Sequence, residues 1–206
     1  MLGPAEAPRC LVFVPGFMVS PSAYTSLLEP VAACVGRVIV PSPEASTVAL
    51  LSGRHTAAQQ AEQVEEMARD LRLEGIDVLL GGHSRGGFVA VLASRRVLPA
   101  GLVLVDPVSG DGGPAKTPEP LASLQLECPC IIIGCGPAGR CAPAGRNHEV
   151  FAAALPDAHH TVLSDCGHAD VLDGSAARFG GLLCGHGQDP REARDAVSRA
   201  MIDFLC

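Results

Sequence analysis

Three residues of this 206-residue chain could together attack a carbonyl carbon: Ser84, Asp106 and His168, in that chain order. A serine hydroxyl is a poor nucleophile at neutral pH and needs a base to take its proton. A histidine base in turn needs a carboxylate that holds its tautomer and stabilises its cationic form. Ser84 lies in Gly82-His83-Ser84-Arg85-Gly86, which fits the G-x-S-x-G nucleophile elbow. In that turn the small flanks let strand and helix approach while the serine oxygen is lifted clear of the sheet. Among 23 glycines the five-residue pattern is weak by itself. Its setting carries more, because apolar Val78-Leu79-Leu80 precedes it and Phe88, Val89, Val91 and Leu92 follow it at helical spacing.

The elements that must position these groups follow from apolar runs and breakers. Cys10-Leu11-Val12-Phe13-Val14 is a short all-apolar strand stopped by Pro15-Gly16, as expected of a buried parallel strand, and Met1 to Arg9 form a loose lead-in. Ser22 is expected to cap a helix over Ala23 to Cys34, and Arg37-Val38-Ile39-Val40 is the next strand, followed by a loop from Ser42 to His55. Thr56 and Gln59 form a capping-box pair for a helix whose Ala57, Ala61, Val64, Met67, Ala68 and Leu71 keep one face apolar up to Gly75. After the elbow come strands at Gly101 to Val105, Cys130 to Ile133 and His160 to Leu163, with a short helix capped by Asn147 between the last two. Asp189, Pro190 and Glu192 open a closing helix. Six apolar strands alternating with helices predict an α/β chain, one domain over residues 1–206, with a mostly parallel sheet covered on both faces.

In such sheets reactive groups gather beyond the carboxyl ends of the strands. Ser84, Asp106 and His168 each stand just after a strand, and Ser-Asp-His is the order used by hydrolases of this architecture. The loop after the fifth strand, Gly134 to His148, holds no carboxylate, which favours Asp106 over Asp165, Asp170 and Asp173 as the acid. A turn residue before proline is the competing role for Asp106. His148, His159 and His160 compete for the base but suit surface or capping roles, and His83 suits a structural one. Acyl transfer also needs two preorganised donors for its oxyanion. The backbone N–H groups of Arg85 and Phe17 are the candidates.

A net charge of −7 with no basic block excludes nucleic acid and anionic membrane surfaces as main partners. Neither a transmembrane run nor a basic start followed by an apolar core is present. Nine cysteines, most in or beside apolar strands, read as buried free thiols in a chain too long to need staples. Gly134-Cys135-Gly136-Pro137-Ala138-Gly139 spells G-x-G-x-x-G, but Pro143 and Gly145 delay the next helix to about Asn147, so its N-terminus cannot meet a pyrophosphate at the glycines. Cys128, Cys130, Cys135, Cys141, Cys166 and His168 contain no C-x2-C or C-x3-C pair, so no metal site is expected.

Taken together, these segments resemble the chlorophyllase family of plant and algal α/β hydrolases. Gly82-His83-Ser84-Arg85-Gly86-Gly87 is similar to that family's GHSRGG segment, and Asp106-Pro107-Val108 to its Asp-Pro-Val segment. Cys141-Ala142-Pro143, Asn147-His148 and Phe151 resemble its CAP...NH..F stretch, and Gly167 to Asp173 its GH.D.LD segment. Pro15 departs from the pattern, standing where the family usually has a histidine. The resemblance implies an α/β-hydrolase fold whose first two strands lie outside this chain. It also implies a cofactor-free serine esterase that cleaves the phytyl ester of chlorophyll to chlorophyllide and phytol, with Ser84, Asp106 and His168 as its triad. A chloroplast location and peripheral contact with a pigment-bearing membrane follow from the same likeness. Met18, Val19, Leu50 and Leu51 become candidates for an apolar substrate surface, with core packing as the competing role; Asn147 and His148 become candidates to touch a tetrapyrrole, with helix capping as theirs. The alternatives are a general carboxylesterase, lipase or thioesterase, and a pigment- or partner-binding hydrolase fold with an idle triad.

Overall fold

The computed structural model describes residues 1–42, 56–110, 125–136 and 139–206. Six strands form one sheet: β1 (Arg9–Val14), β2 (Arg37–Ile39), β3 (Asp77–His83), β4 (Leu102–Val105), β5 (Cys130–Cys135) and β6 (His159–Leu163). Their spatial order is β2-β1-β3-β4-β5-β6, and every neighbouring pair is parallel. The helices are α1 (Thr25–Val35), α2 (Ala57–Leu73), α3 (Arg85–Ser94), α4 (His148–Ala154), α5 (Gly174–Cys184) and α6 (Pro190–Leu205).

Period-2 alternation along the strands divides the core into two layers. Leu11, Phe13, Leu79, Val103, Val105, Ile131 and Ile133 face α1 and α6, where Leu27, Leu28, Val31, Val197 and Met201 are buried. Cys10, Val12, Val78, Leu80, Leu102, Leu104 and Ile132 face α2, α3 and α4 through Ala61, Val64, Val89 and Phe151. With both faces covered, β1, β3, β4 and β5 are almost wholly buried.

The expected capping box is present: Gln59 N donates to Thr56 Oγ1 at 3.2 Å, and Thr56 N donates to Gln59 Oε1 at 2.9 Å. Thr56→Ala removes the first of these bonds and is expected to lower stability by about 1 kcal/mol, read as a fall in the urea midpoint at unchanged slope. At the other end of the chain, Asp189 Oδ1 caps α6 by accepting from Arg191 N at 2.9 Å and Glu192 N at 3.1 Å.

Two expectations need correction, and one helix lies where none is expected. Ser22 does not cap a helix running from Ala23. A 3-10 turn, Pro21–Tyr24, precedes α1, and the Ser22 carbonyl accepts from Thr25 Oγ1 at 3.0 Å. The N-terminus of α1 is met from far away instead, with Ser26 N donating to Asp173 Oδ2 at 2.8 Å. Helix α5 carries no strong helix signal, since Gly180 and Gly181 interrupt it. It forms through tertiary contacts: Gly180 lies against Ala169 and Gly181 against His186 with no room for a side chain. Finally, four cysteines are paired, Cys34 with Cys206 and Cys141 with Cys184, whereas Cys10, Cys128, Cys130, Cys135 and Cys166 are free. Partners 172 and 43 residues apart carry no local pattern.

Candidate active site

Ser84 joins β3 to α3 with φ 56° and ψ −128°, a left-handed conformation uncommon for a side chain-bearing residue. Strand β4, the residues just after it and the first turn of α3 hold it there. Its N–H donates to Val105 O at 3.0 Å, and its carbonyl accepts from Gly87 N and Val108 N, each at 3.0 Å. The glycines around it are required by close approach: a Cβ on Gly86 would overlap the Val14 carbonyl, and one on Gly87 would stand 2.8 Å from Pro107 Cβ.

Asp106 follows β4 and is also left-handed, with φ 38°. It is fully buried. Its amide donates to Ile133 O at 2.7 Å, and its Oδ1 accepts from Cys135 N at 3.1 Å, so β5 holds both its backbone and its carboxylate. The other oxygen, Oδ2, lies 2.6 Å from His168 Nδ1. A carboxylate accepts, so Nδ1 carries the proton and Nε2 presents its lone pair to Ser84 Oγ at 3.0 Å. His168 is buried, whereas Ser84 is partly accessible.

The competing acids are placed elsewhere. Asp165 is exposed. Asp173 Oδ2 meets α1, and its Oδ1 pairs with Arg194. Asp170 is buried and accepts from Gly167 N and Gly187 N, both at 2.6 Å, which clamps the loop carrying His168 against the segment before α6. Among the other histidines, His159 is exposed, and His148 lies buried over Gly134 with Nδ1 3.0 Å from His160 Nε2. Asn147 stands at the N-cap of α4 without a side-chain cap bond. The contacts of His148 are thus with the sheet and its edge strand rather than with Ser84.

Arg85 opens α3, so its N–H is among those pointing out of the helix start. Its side chain is buried, with Nη1 on Gln60 Oε1 at 2.5 Å. After β1 the chain turns sharply at Gly16-Phe17-Met18, closed by Val19 N on Gly16 O at 3.2 Å, with Met18 at φ 58°. The turn lies beside the elbow: a Cβ on Gly16 would be 3.4 Å from Ser84 Cβ. Met18 is exposed, and Val19 packs partly against the core. Leu50 and Leu51 lie outside the described residues.

Several residues around this site carried no obvious signal. Gln60 falls on the apolar stripe of α2, where a polar side chain at a buried position asks for a partner. Tyr24, the one tyrosine of the chain, is fully buried and binds both Gly16 N, at 2.8 Å, and His83 Nδ1, at 2.9 Å. Burial together with the nearby His168 ring holds the pKa of His83 well below the usual histidine range.

The profile of the chlorophyllase family matches residues 5–206. This chain belongs to the chlorophyllase family. It is 33% identical over 152 residues to chlorophyllase-2 of Arabidopsis thaliana, an overlap of 61% of this chain and 48% of that one. It is 27% identical over 222 residues to chlorophyllase-1, chloroplastic, of Citrus unshiu, covering 95% of this chain and 67% of that one. The chain therefore spans about half to two-thirds of the length of these curated relatives.

Solved structures show the fold of this chlorophyllase-family chain to be that of the α/β hydrolases. Thermogutta terrifontis esterase 2 has a TM-score of 0.70 at 18% identity, with 98% of this chain and 86% of that one covered. A Xanthomonas campestris pv. campestris protein assigned to the alpha/beta hydrolase superfamily has a TM-score of 0.63 at 22% identity, with 96% and 98% covered. The segments that carry the chlorophyllase likeness lie after β3, β4, β5 and β6. Not all of them reach Ser84: Phe151 is buried edge-on to Phe88, with ring centroids 6.3 Å apart, and Cys141 is tied to Cys184. Among the described residues no helix is long and apolar enough to cross a membrane.

Proposed function

We propose that this protein is a serine esterase that hydrolyses the phytyl ester of chlorophyll. The observation that carries the reading is the continuous chain from Asp106 Oδ2 to His168 Nδ1 at 2.6 Å and from His168 Nε2 to Ser84 Oγ at 3.0 Å, ending on a serine held in a left-handed elbow. Ser84 Oγ attacks the ester carbonyl while its proton passes to His168 Nε2, and the carbonyl electrons collect on oxygen. The N–H groups of Arg85 and Phe17 face that oxygen, each donor worth about 10²- to 10³-fold in rate. Collapse breaks the bond to the phytyl oxygen, which takes the proton from His168 and leaves as phytol. Water then gives a proton to His168 and attacks the acyl-enzyme, releasing chlorophyllide and restoring Ser84. Asp106 keeps Nδ1 protonated throughout.

Family membership supports the lipophilic ester substrate. The relative from Citrus unshiu carries the word chloroplastic in its name, which supports the same location here. Exposed Phe179, Leu182 and Leu183 on α5, the helix that follows the His168 loop, support peripheral contact with a pigment-bearing membrane. The test compares chlorophyll with short p-nitrophenyl esters as substrates, following chlorophyllide by chromatography. Chlorophyll turnover at a kcat/KM equal to or above that for the short esters is expected. Negligible chlorophyll turnover beside fast p-nitrophenyl ester turnover would replace this substrate with a general carboxylesterase, lipase or thioesterase activity.

A further inference from the structure

His83 precedes the nucleophile, is buried, and makes two hydrogen bonds whose directions can be deduced. Its Nε2 lies 3.0 Å from the carbonyl oxygen of His168. A carbonyl only accepts, so Nε2 must carry a proton. In a neutral ring Nδ1 is then a bare lone pair, and the group facing it at 2.9 Å, the Tyr24 hydroxyl, must donate. Having given its one proton to His83, the Tyr24 oxygen has lone pairs left for Gly16 N–H at 2.8 Å. The sequence is therefore Gly16 N–H to Tyr24 oxygen, Tyr24 O–H to His83 Nδ1, and His83 Nε2–H to the His168 carbonyl. Each donor along it meets an acceptor, and Tyr24 and His83 are buried.

A protonated His83 would break this arrangement. Its Nδ1–H would face an oxygen already accepting from Gly16, and the tyrosine proton would lose its acceptor. The titratable neighbours are Tyr24 on one side and, on the other, His168 with Asp106 behind it. The His83 and His168 rings stand 4.7 Å apart, so a neutral His83 also keeps a second positive charge away from the imidazole that takes the Ser84 proton.

The two ends of this chain are the two halves of the proposed chemistry that come from separate parts of the fold. Gly16 precedes the Phe17 amide on the turn after β1, and His168 stands on the loop after β6, four strands away in sheet order. We propose that Tyr24 and His83 are positioning residues that fix the proposed base and the proposed oxyanion amide relative to one another, with His83 locked as the Nε2–H tautomer. Tyr24 reaches back from the 3-10 turn before α1 to hold the Pro15-Gly16 peptide, one residue before the Phe17 amide, and His83 reaches across the elbow to set the backbone that carries the His168 imidazole. Neither touches the reacting atoms. This rests on the triad reading above.

Glutamine and leucine at position 83 separate the hydrogen bonds from the space they fill. A glutamine amide offers one acceptor for Tyr24 O–H and one donor for the His168 carbonyl, as His83 does, whereas leucine offers neither. With p-nitrophenyl butyrate as substrate and rates normalised by titrating Ser84 with a fluorophosphonate, His83→Gln is expected within about 3-fold of wild-type kcat. His83→Leu is expected to lose about 10²-fold in kcat, the scale of a roughly 1 Å misplacement, with KM within about 3-fold. Tyr24→Phe, which deletes one oxygen and keeps the ring edge-on to Phe13, is expected to lose at least about 10-fold in kcat. Equal kcat for His83→Gln and His83→Leu, or wild-type kcat in Tyr24→Phe, would overturn the positioning role while leaving the triad intact. Wild-type turnover by Ser84→Ala would instead overturn the reading beneath it.

Discussion

Ser84→Ala is expected to abolish ester cleavage, with kcat falling by about 10⁶-fold, while chlorophyll binding and the unfolding midpoint stay at wild-type values. The reasons are local. Ser84 Oγ is the proposed nucleophile at the end of the hydrogen-bonded chain from Asp106 through His168, so its removal leaves the proposed base with nothing to activate. Alanine adopts φ 56° no less readily than serine, and the bonds that hold the elbow use the backbone of residue 84 rather than its side chain. Stability should therefore change by no more than about 0.5 kcal/mol. Chlorophyllide appearing from Ser84→Ala at a substantial fraction of the wild-type rate would remove Ser84 from its role. Loss of pigment binding alongside turnover would show that the hydroxyl serves affinity rather than chemistry.

Asp106→Asn should cost about 10⁴-fold in kcat. The two oxygens of Asp106 both accept, Oδ1 from Cys135 N and Oδ2 from His168 Nδ1. An asparagine has one oxygen for two donors. If its NH₂ faces His168, the imidazole must turn its lone pair to the amide and its proton toward Ser84, the wrong tautomer for a base. If its NH₂ faces Cys135, two N–H groups oppose one another in a fully buried site, and the negative charge that steadies the imidazolium is gone in either case. Asp165→Asn, at an exposed position, should stay within about 2-fold of wild type and serves as the control. Wild-type activity in Asp106→Asn would move the acid to another carboxylate, with buried Asp170 the next to test.

Much of this site was legible in the chain because its parts stand at strand ends. Strands buried on both faces leave continuous apolar runs, and Ser84, Asp106 and His168 each follow such a run. The loop between Gly134 and His148 contains no carboxylate, which pointed to Asp106 before any geometry was known. The start of α1 was misplaced because Ser22 satisfied a local rule that lost to a distant one: Asp173 meets the helix N-terminus across 147 residues. Helix α5 was missed because glycines lower its intrinsic propensity, and what stabilises it is contact with Ala169, His186 and the Cys141–Cys184 link. The cysteine pairs were invisible for the same reason.

By itself the sequence determined the alternation of strands and helices, the capped α2 and α6, the elbow around Ser84 and the order of the three proposed catalytic groups. These depend on burial period and turn chemistry, which act over a few residues. Only the tertiary structure decided which polar groups meet in the interior: Asp106 with Cys135 and His168, Asp170 with Gly167 and Gly187, Arg85 with Gln60, and Tyr24 with Gly16 and His83. A buried donor or acceptor must find its partner wherever the fold brings one, often far along the chain. Residue type can say that such a partner is needed, and only the packing of the sheet and its helices says which one it is.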